Sequence, residues 1–239
     1  MEQGEGAAAL KEGAAGLLAG EGRILAEREE SPIERKCAPL SDQSLTLLLD
    51  ALCFQQATAL LLALELKSEE TSAHSLRVAS LSLRIGRKLA LSPEQLATLK
   101  YGALLHDIGK LSVPESILEK TERLSEEEWM RLRLHPSRGE NLLATLDFPQ
   151  PICQAVGQHH ESFNGSGYPF GIRGLAISFE ARIIAVADTF DTIFKGRCFR
   201  KAECYEVALH EVVSCSGSQF DPVVVNALVG IPKEEIEAL

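Results

Sequence analysis

Apolar residues recur along this chain at steps of three and four, while the alternation of a half-buried strand is nearly absent. That period predicts an all-α fold. Ser41-Asp42 can cap a first helix that runs through Leu64, within the apolar stretch Leu45–Leu66. The next stripe is His74, Val78, Leu81, Ile85 and Leu89, which keeps to one helical face. Ser92-Pro93-Glu94 starts a helix with serine as N-cap and proline at the first helical position, and its stripe is Leu96, Leu99, Ala103 and His106. Ser125 followed by Glu128 is a capping-box pattern opening a helix through Leu134, and Pro136 begins another that ends at Leu146. Ile152, Ala155, Val156, His159 and His160 share a face, as do Ile184, Ala187, Asp188 and Asp191 within a helix over Phe179–Phe194. A closing pair is expected over Ala202–Val213 and Pro222–Leu228.

This pattern divides the chain. Residues 1–40, rich in Ala, Gly and Glu, read as a flexible or weakly helical N-terminal extension, 41–232 as the domain and 233–239 as a C-terminal tail. The 239 residues are 45% hydrophobic, enough for a core filled by Leu, Ala, Ile and Val because aromatics are sparse. Lys and Arg number 24 against 34 Asp and Glu, a formal charge of −10. An acidic chain lacks the field that binds nucleic acid polymers or anionic membranes, so an anionic substrate needs local cations or metal.

The six cysteines, Cys37, Cys53, Cys153, Cys198, Cys204 and Cys215, form no C-x-x-C pair, which argues against a zinc-thiolate site and for reduced thiols of a cytoplasmic protein. The first twenty residues carry Glu2, Glu5 and Glu12, the wrong charge for a secretory leader. Leu45–Leu66 is interrupted by Asp50, Gln55, Gln56 and Glu65, so it reads as a buried helix, free to pack on the domain or to form a homodimer, and no membrane span is expected.

The candidate chemistry lies on the apolar stripes. His106-Asp107 and His159-His160-Glu161, with His74, His135 and Asp188, offer enough nitrogen and carboxylate ligands for at least two metal ions. A lone histidine on an apolar stripe is more often a hydrogen-bonded core residue than a ligand. Buried carboxylates such as Asp107 and Asp188 cost several kcal/mol unless a cation compensates them, and Lys and Arg are scarce on these stripes. A shared metal satisfies the set. His and carboxylate without thiolate suit iron, manganese or zinc in a multinuclear hydrolase, iron or manganese above a structural zinc. Asp107 is placed to bridge two ions.

These residues carry a resemblance. His106-Asp107 resembles the signature of the HD superfamily of metal phosphohydrolases, and His159-His160-Glu161 ahead of Asn164-Gly165-Ser166-Gly167-Tyr168-Pro169 resembles its HD-GYP branch, the bacterial cyclic di-GMP phosphodiesterases. The likeness covers about residues 45 to 230, including Gly217-Ser218-Gln219-Phe220-Asp221-Pro222. It implies a helical bundle with a multinuclear metal centre in its core and metal ligands at His74, His106, Asp107, His135, His159, His160 and Asp188. Some members hold a third ion through a Glu four residues before the first His; here that is Glu70, which equally reads as a solvated charge at a helix start.

The resemblance further implies a phosphate contact from Lys110, a substrate and partner-protein role for the loop of Gly165, Gly167, Tyr168 and Pro169, and phosphate or guanine contacts from Arg197 and Arg200. The chain departs from the family at Phe194, where a small or hydroxyl residue is usual, and at Cys198-Phe199, where Pro-Tyr is usual. The implied activity is hydrolysis of cyclic di-GMP to pGpG and on to GMP with two or three divalent ions, iron or manganese. A catalytically weak nucleotide- or partner-binding module, and a hydrolase of another cyclic dinucleotide, are the rival readings.

Overall fold

The computed structural model describes residues 42–196 and 202–238. The expectation for the N-terminal extension lies outside the described residues. From Leu45 onward the chain forms one compact unit. Every regular element among the described residues is helical, and the one bridge, Ser216 to Phe220, belongs to no strand.

The long helices are α1 (Asp42–Lys67), α2 (Glu69–Lys88), α3 (Pro93–Leu105) and α8 (Phe179–Lys195). Shorter ones follow α3, namely α4 (Glu115–Leu118), α5 (Glu126–Arg133), α6 (His135–Thr145) and α7 (Gln150–Gln158). The chain closes with α9 (Tyr205–Ser214), α10 (Pro222–Val229) and α11 (Lys233–Glu237). The predicted starts hold: Ser92 and Ser125 each accept from the backbone N–H three residues on, and Gln95 and Glu128 reach back to complete both capping boxes.

Two apolar clusters hold these helices. Val78, Ile85, Leu99, Ile184, Phe190 and Leu228 belong to one, and Leu64, Tyr101, Leu105, Leu143, Ile152 and Val156 to the other. Each such side chain contributes about 1.5–3 kcal/mol by leaving water. Helix α3 serves both, since Leu99 and Ala103 face one cluster while Tyr101 and Leu105 face the other. Apolar side chains on both flanks mark it as a central helix rather than a surface one. It packs on α2, α7 and α8, and its C-terminal end therefore opens where elements of both clusters meet.

Three boundaries differ from the pattern. Helix α1 runs on to Lys67, whose Nζ donates to the Leu111 and Val113 carbonyls at 2.7 and 2.6 Å. Helix α9 starts at Tyr205 rather than Ala202, because Glu203 N donates back to the Ile193 carbonyl and Cys204 is extended. Residues 233–237, expected within a tail, are helical, and Ile236 is 1% exposed in the larger cluster. Helix α1 buries Ala57 and Leu64 against the domain while Leu52, Phe54, Leu62 and Leu66 face outward. No described helix is long and apolar enough to cross a membrane.

Candidate metal centre

Five of the six histidines meet in one place. His74 comes from the buried face of α2, His106 caps the C-terminus of α3, and His135 follows α5 as the first residue of α6. His159 caps the C-terminus of α7 with His160 after it, and Asp188 lies within α8. Only His74 and Asp188 sit in the middle of a helix. The other ligands expected on helical stripes hang from helix ends, where the stripe continues one step into the cap and the chain then turns.

The imidazoles form a continuous series, with ring centroids 5.3 Å apart for His74 and His106, 5.1 Å for His106 and His159, 5.3 Å for His135 and His159, and 4.1 Å for His159 and His160. Their liganding atoms fall into three groups within 4.8 Å: His74, His106 and Asp188; His135, His159 and His160; and His106, Asp107 and His159. Asp107 stands between the outer two, with Oδ2 3.4 Å from His106 Nε2 and Oδ1 3.4 Å from His135 Nε2. That is the placement a bridging carboxylate requires.

The backbone fixes which nitrogen faces the centre. Nδ1 of His106, His135 and His159 lies 2.7, 2.7 and 2.6 Å from the carbonyl three residues earlier, of Ala103, Leu132 and Val156. A carbonyl only accepts, so each Nδ1 donates and the neutral ring presents its Nε2 lone pair inward. These carbonyls belong to the last turns of α3, α5 and α7, where the regular intrahelical ladder runs out and the helix dipole is negative. Three helix ends thus converge on a site that favours a cation.

His74 is set differently. Its Nδ1 donates to Asp191 Oδ2 at 2.7 Å, and Arg77 grips Asp191 through Nε and Nη2 at 2.8 and 2.9 Å. Asp191 stood on the Asp188 face in the sequence, yet its role was not legible, because its partners lie more than a hundred residues away.

The donors fit a metal. His74 Nε2 and His106 Nε2 are buried without a hydrogen-bond partner. His74 Nε2 is 2.9 Å from Asp188 Oδ1 but not aligned for a bond. His135 Nε2 and His159 Nε2 face each other at 3.3 Å, although both Nδ1 atoms are committed to carbonyls. Two lone pairs at that separation repel unless a cation lies between them. A proton does not serve well: burial lowers the pKa of His135, His159 and His160, with neighbouring imidazoles adding to it, and takes His159 to about 3. Burial would raise the carboxyls, but Lys110 and His106 hold Asp107, and His74 holds Asp188, well below the usual range. His106 moves the other way: burial acts to lower it, while Asp107 and Asp188 outweigh burial and raise it.

Around the ligands, Lys110 Nζ lies 2.6 Å from Asp107 Oδ2, on a 3-10 turn over Ile108–Ser112. Gly109 permits this turn, since a Cβ there would meet the His135 carbonyl oxygen at 1.9 Å. Glu161 is buried, and its Oε1 accepts from Phe170 N and Gly171 N at 2.6 and 3.2 Å, tying down the loop that carries Tyr168 and Pro169. At Gly167 a Cβ would meet Ser162 N at 2.2 Å, so this loop needs glycine for close approach, whatever its conformation. Tyr168 stacks on His160 at 4.9 Å, and the Arg133 guanidinium lies over the Tyr168 ring at 4.4 Å from its centre. These side chains and Gln219 line a pocket of about 270 Å³ against His159 and His160.

Glu70 is exposed in the first turn of α2 and belongs to none of the three groups. Phe194 packs against the larger cluster, its ring 5.7 Å from Phe190, which accounts for a bulky residue there as a core contact. Arg197, Arg200 and Cys198-Phe199 lie outside the described residues.

The family model of the HD domain matches residues 58–224. This chain belongs to the HD domain family. Its His159-His160-Glu161 and Gly167-Tyr168-Pro169 motifs place it in the HD-GYP branch. HD domains are metal-dependent, in keeping with the clusters of His and Asp here.

Relatives agree with that membership. The chain is 37% identical over 169 residues to the cyclic di-GMP phosphodiesterase response regulator RpfG of Xanthomonas campestris, covering 70% of this chain and 45% of that protein. It is 35% identical over 172 residues to a cyclic di-GMP phosphodiesterase of Thermotoga maritima, covering 71% and 47%. To the 3'3'-cGAMP-specific phosphodiesterase 1 of Vibrio cholerae it is 37% identical over 168 residues, covering 67% and 39%. The chain thus spans less than half the length of these curated relatives. Among solved structures, the HDG"Y"P protein Bd1817 of Bdellovibrio bacteriovorus superposes with a TM-score of 0.55 at 25% identity, over 65% of this chain and 50% of that one. The cyclic GMP-AMP phosphodiesterase V-cGAP3 of V. cholerae superposes at 0.57 with 22% identity, over 76% and 48%, and supports the HD fold.

Proposed function

We propose that this HD domain hydrolyses a 3′–5′ phosphodiester of cyclic di-GMP, releasing linear pGpG and, by a second cut, GMP. The observation that carries the reading is the inward-facing set of His and Asp donors beside a polar pocket. The two relatives named for cyclic di-GMP support the substrate class.

His74, His106 and Asp188 would hold one ion and His135, His159 and His160 another, with Asp107 shared. The chemistry supplied there is Lewis acidity toward phosphoryl oxygens and activation of water at neutral pH. Oxygen and nitrogen donors without thiolate favour iron or manganese. Glu70, exposed one turn before His74, is the residue from which a third ion would draw a ligand.

The chain's own groups orient and neutralise. Lys110 brings a cation to Asp107 and is positioned to meet a phosphoryl oxygen as charge builds on it. Burial, and then Asp188, push the Tyr168 pKa up against the opposing Arg133, so the phenol stays neutral and can donate to a phosphate or base. Gly167 and Glu161 keep that phenol against His160. We place the reaction in the cytoplasm, with the outer face of α1 available to a second copy and the loop around Tyr168 available to protein partners.

A second reading, cleavage of 3'3'-cGAMP, is favoured by the V. cholerae relatives at 37% and 39% identity. The deciding experiment supplies anaerobically purified protein with iron(II) or manganese(II), offers both cyclic dinucleotides, and separates products by chromatography, with Asp107→Ala as control. pGpG or GMP, lost in the variant, is expected. No turnover of either nucleotide by fully metallated protein would overturn the proposal.

A further inference from the structure

An acidic protein that takes a doubly charged cyclic dinucleotide must find cations for both phosphates. Lys110 is already committed at 2.6 Å to Asp107, on the metal side. In the pocket beside His159 and His160 the cation is Arg133, at the C-terminus of α5. Among the described residues Arg133 makes no ion pair, whereas Arg77, Arg84, Arg131 and Arg182 are each paired with a carboxylate. Its guanidinium lies 4.4 Å from the Tyr168 ring centre, and Tyr168 in turn stacks on His160 at 4.9 Å. A guanidinium resting on a ring keeps its N–H fork free at the edges, in the geometry that grips phosphate through two bonds.

Resting on the phosphodiesterase reading, we propose that Arg133 is a substrate-binding residue that holds the phosphate not being cut. Tyr168 sets its orientation. The rest of the lining offers the polar side chains of Ser162, Ser166, Thr189 and Gln219 and the carboxylate of Glu161, whose Oε1 is taken up by Phe170 N and Gly171 N. Among the described residues Arg133 is therefore the pocket's cationic side chain that answers a second negative charge. The residue was not legible in the sequence: it sits two positions before His135, but only the fold brings the end of α5 over Tyr168.

The test compares Arg133→Met, which keeps an apolar stem over Tyr168, with Arg133→Lys, which keeps a charge. Each is assayed in metal-loaded form on cyclic di-GMP and on bis(p-nitrophenyl) phosphate, which has one phosphodiester and no second phosphate. For Arg133→Met, KM for cyclic di-GMP should rise about tenfold to a hundredfold, the worth of a charge-assisted hydrogen bond. The rise should exceed any fall in kcat, and preference for the dinucleotide over the nitrophenyl ester should drop by the same factor. Arg133→Lys should recover part of it, and metal content should match wild type in both. Equal losses on the two substrates would mean that Arg133 only props the loop, and an unchanged preference would mean that it binds nothing; either overturns the assignment. Wild-type protein that cleaves the nitrophenyl ester but no cyclic dinucleotide would instead overturn the functional reading, and this role with it.

Discussion

Replacing Asp191 by Asn tests whether the metal centre is organised from outside its ligands. Asp191 is 5% exposed, and its two oxygens receive His74 Nδ1 at 2.7 Å and the Arg77 fork at 2.8 and 2.9 Å. The carboxylate does two things: it locks His74 with Nε2 inward, and its charge makes that imidazole a better donor. Burial opposes the charge, yet His74 and Arg77 hold Asp191 below the usual carboxylate range. Asparagine keeps the shape and loses the charge. One side-chain oxygen must then serve both partners, or its NH2 group faces one of two donors.

Loss of a supporting partner of this kind lowers metal affinity about tenfold to a hundredfold, roughly 1.4–2.7 kcal/mol. Breaking a buried pair costs about 3–5 kcal/mol, and solvent at Arg77, whose side chain is 24% exposed, brings this to about 2–3 kcal/mol. At about 2–4 °C per kcal/mol for a domain of this size, metal-free Tm should fall by about 4–12 °C. Competition with a chelator gives the affinity, and thermal melts of metal-free protein give the stability. Arg77→Met should lower stability while sparing most of the affinity, because Asp191 still holds His74. A folded Asp191→Asn variant with wild-type metal affinity would refute the argument.

Three further outcomes follow from the same geometry. Metal-free protein should lose stability as pH falls below about 6.5, because His135, His159 and His160 stay neutral when folded but take protons when unfolded. His106 works in the opposite sense and offsets part of this, Asp107 and Asp188 add a further loss near their unfolded value of 3.8, and urea melts from pH 7.5 to 5 would expose any contrary slope. Gly109→Ala forces a Cβ to 1.9 Å from the His135 carbonyl, so overpacking of about 1–3 kcal/mol or more should appear in denaturant melts together with lost activity; wild-type stability would contradict the close approach. Chelation should lower Tm by about 5–11 °C if metal was present at a hundred times its Kd, worth about 2.7 kcal/mol, and an unmoved Tm would show that the centre holds no ion.

Much of this was legible in local pattern. Capping residues Ser92 and Ser125 depend on neighbours three positions away, and the period along α2 and α8 depends on one buried face each. The seven candidate ligand positions could be named through the resemblance to the HD superfamily and the cost of burying Asp107 and Asp188, since a histidine alone on an apolar stripe has the cheaper reading of a core residue. What escaped depends on contacts between distant segments: the Arg77 grip on Asp191, and the placing of Arg133 over Tyr168. His106 and His159 continue the apolar stripes of α3 and α7 in the sequence, yet both are caps rather than helix-interior residues. The periodicity could not tell the last turn from the first residue beyond it.

That placement has a consequence for how such a sequence tolerates change in length. A residue inserted within α7 ahead of His159 would swing that imidazole by about 100° and carry it about 1.5 Å along the axis. The same insertion in the loop after Leu118 or before Phe179 would leave the convergence of α3, α5 and α7 intact. Indels should therefore be survivable in the connections and ruinous inside the three helices. Length, as much as residue identity, is part of what specifies this centre.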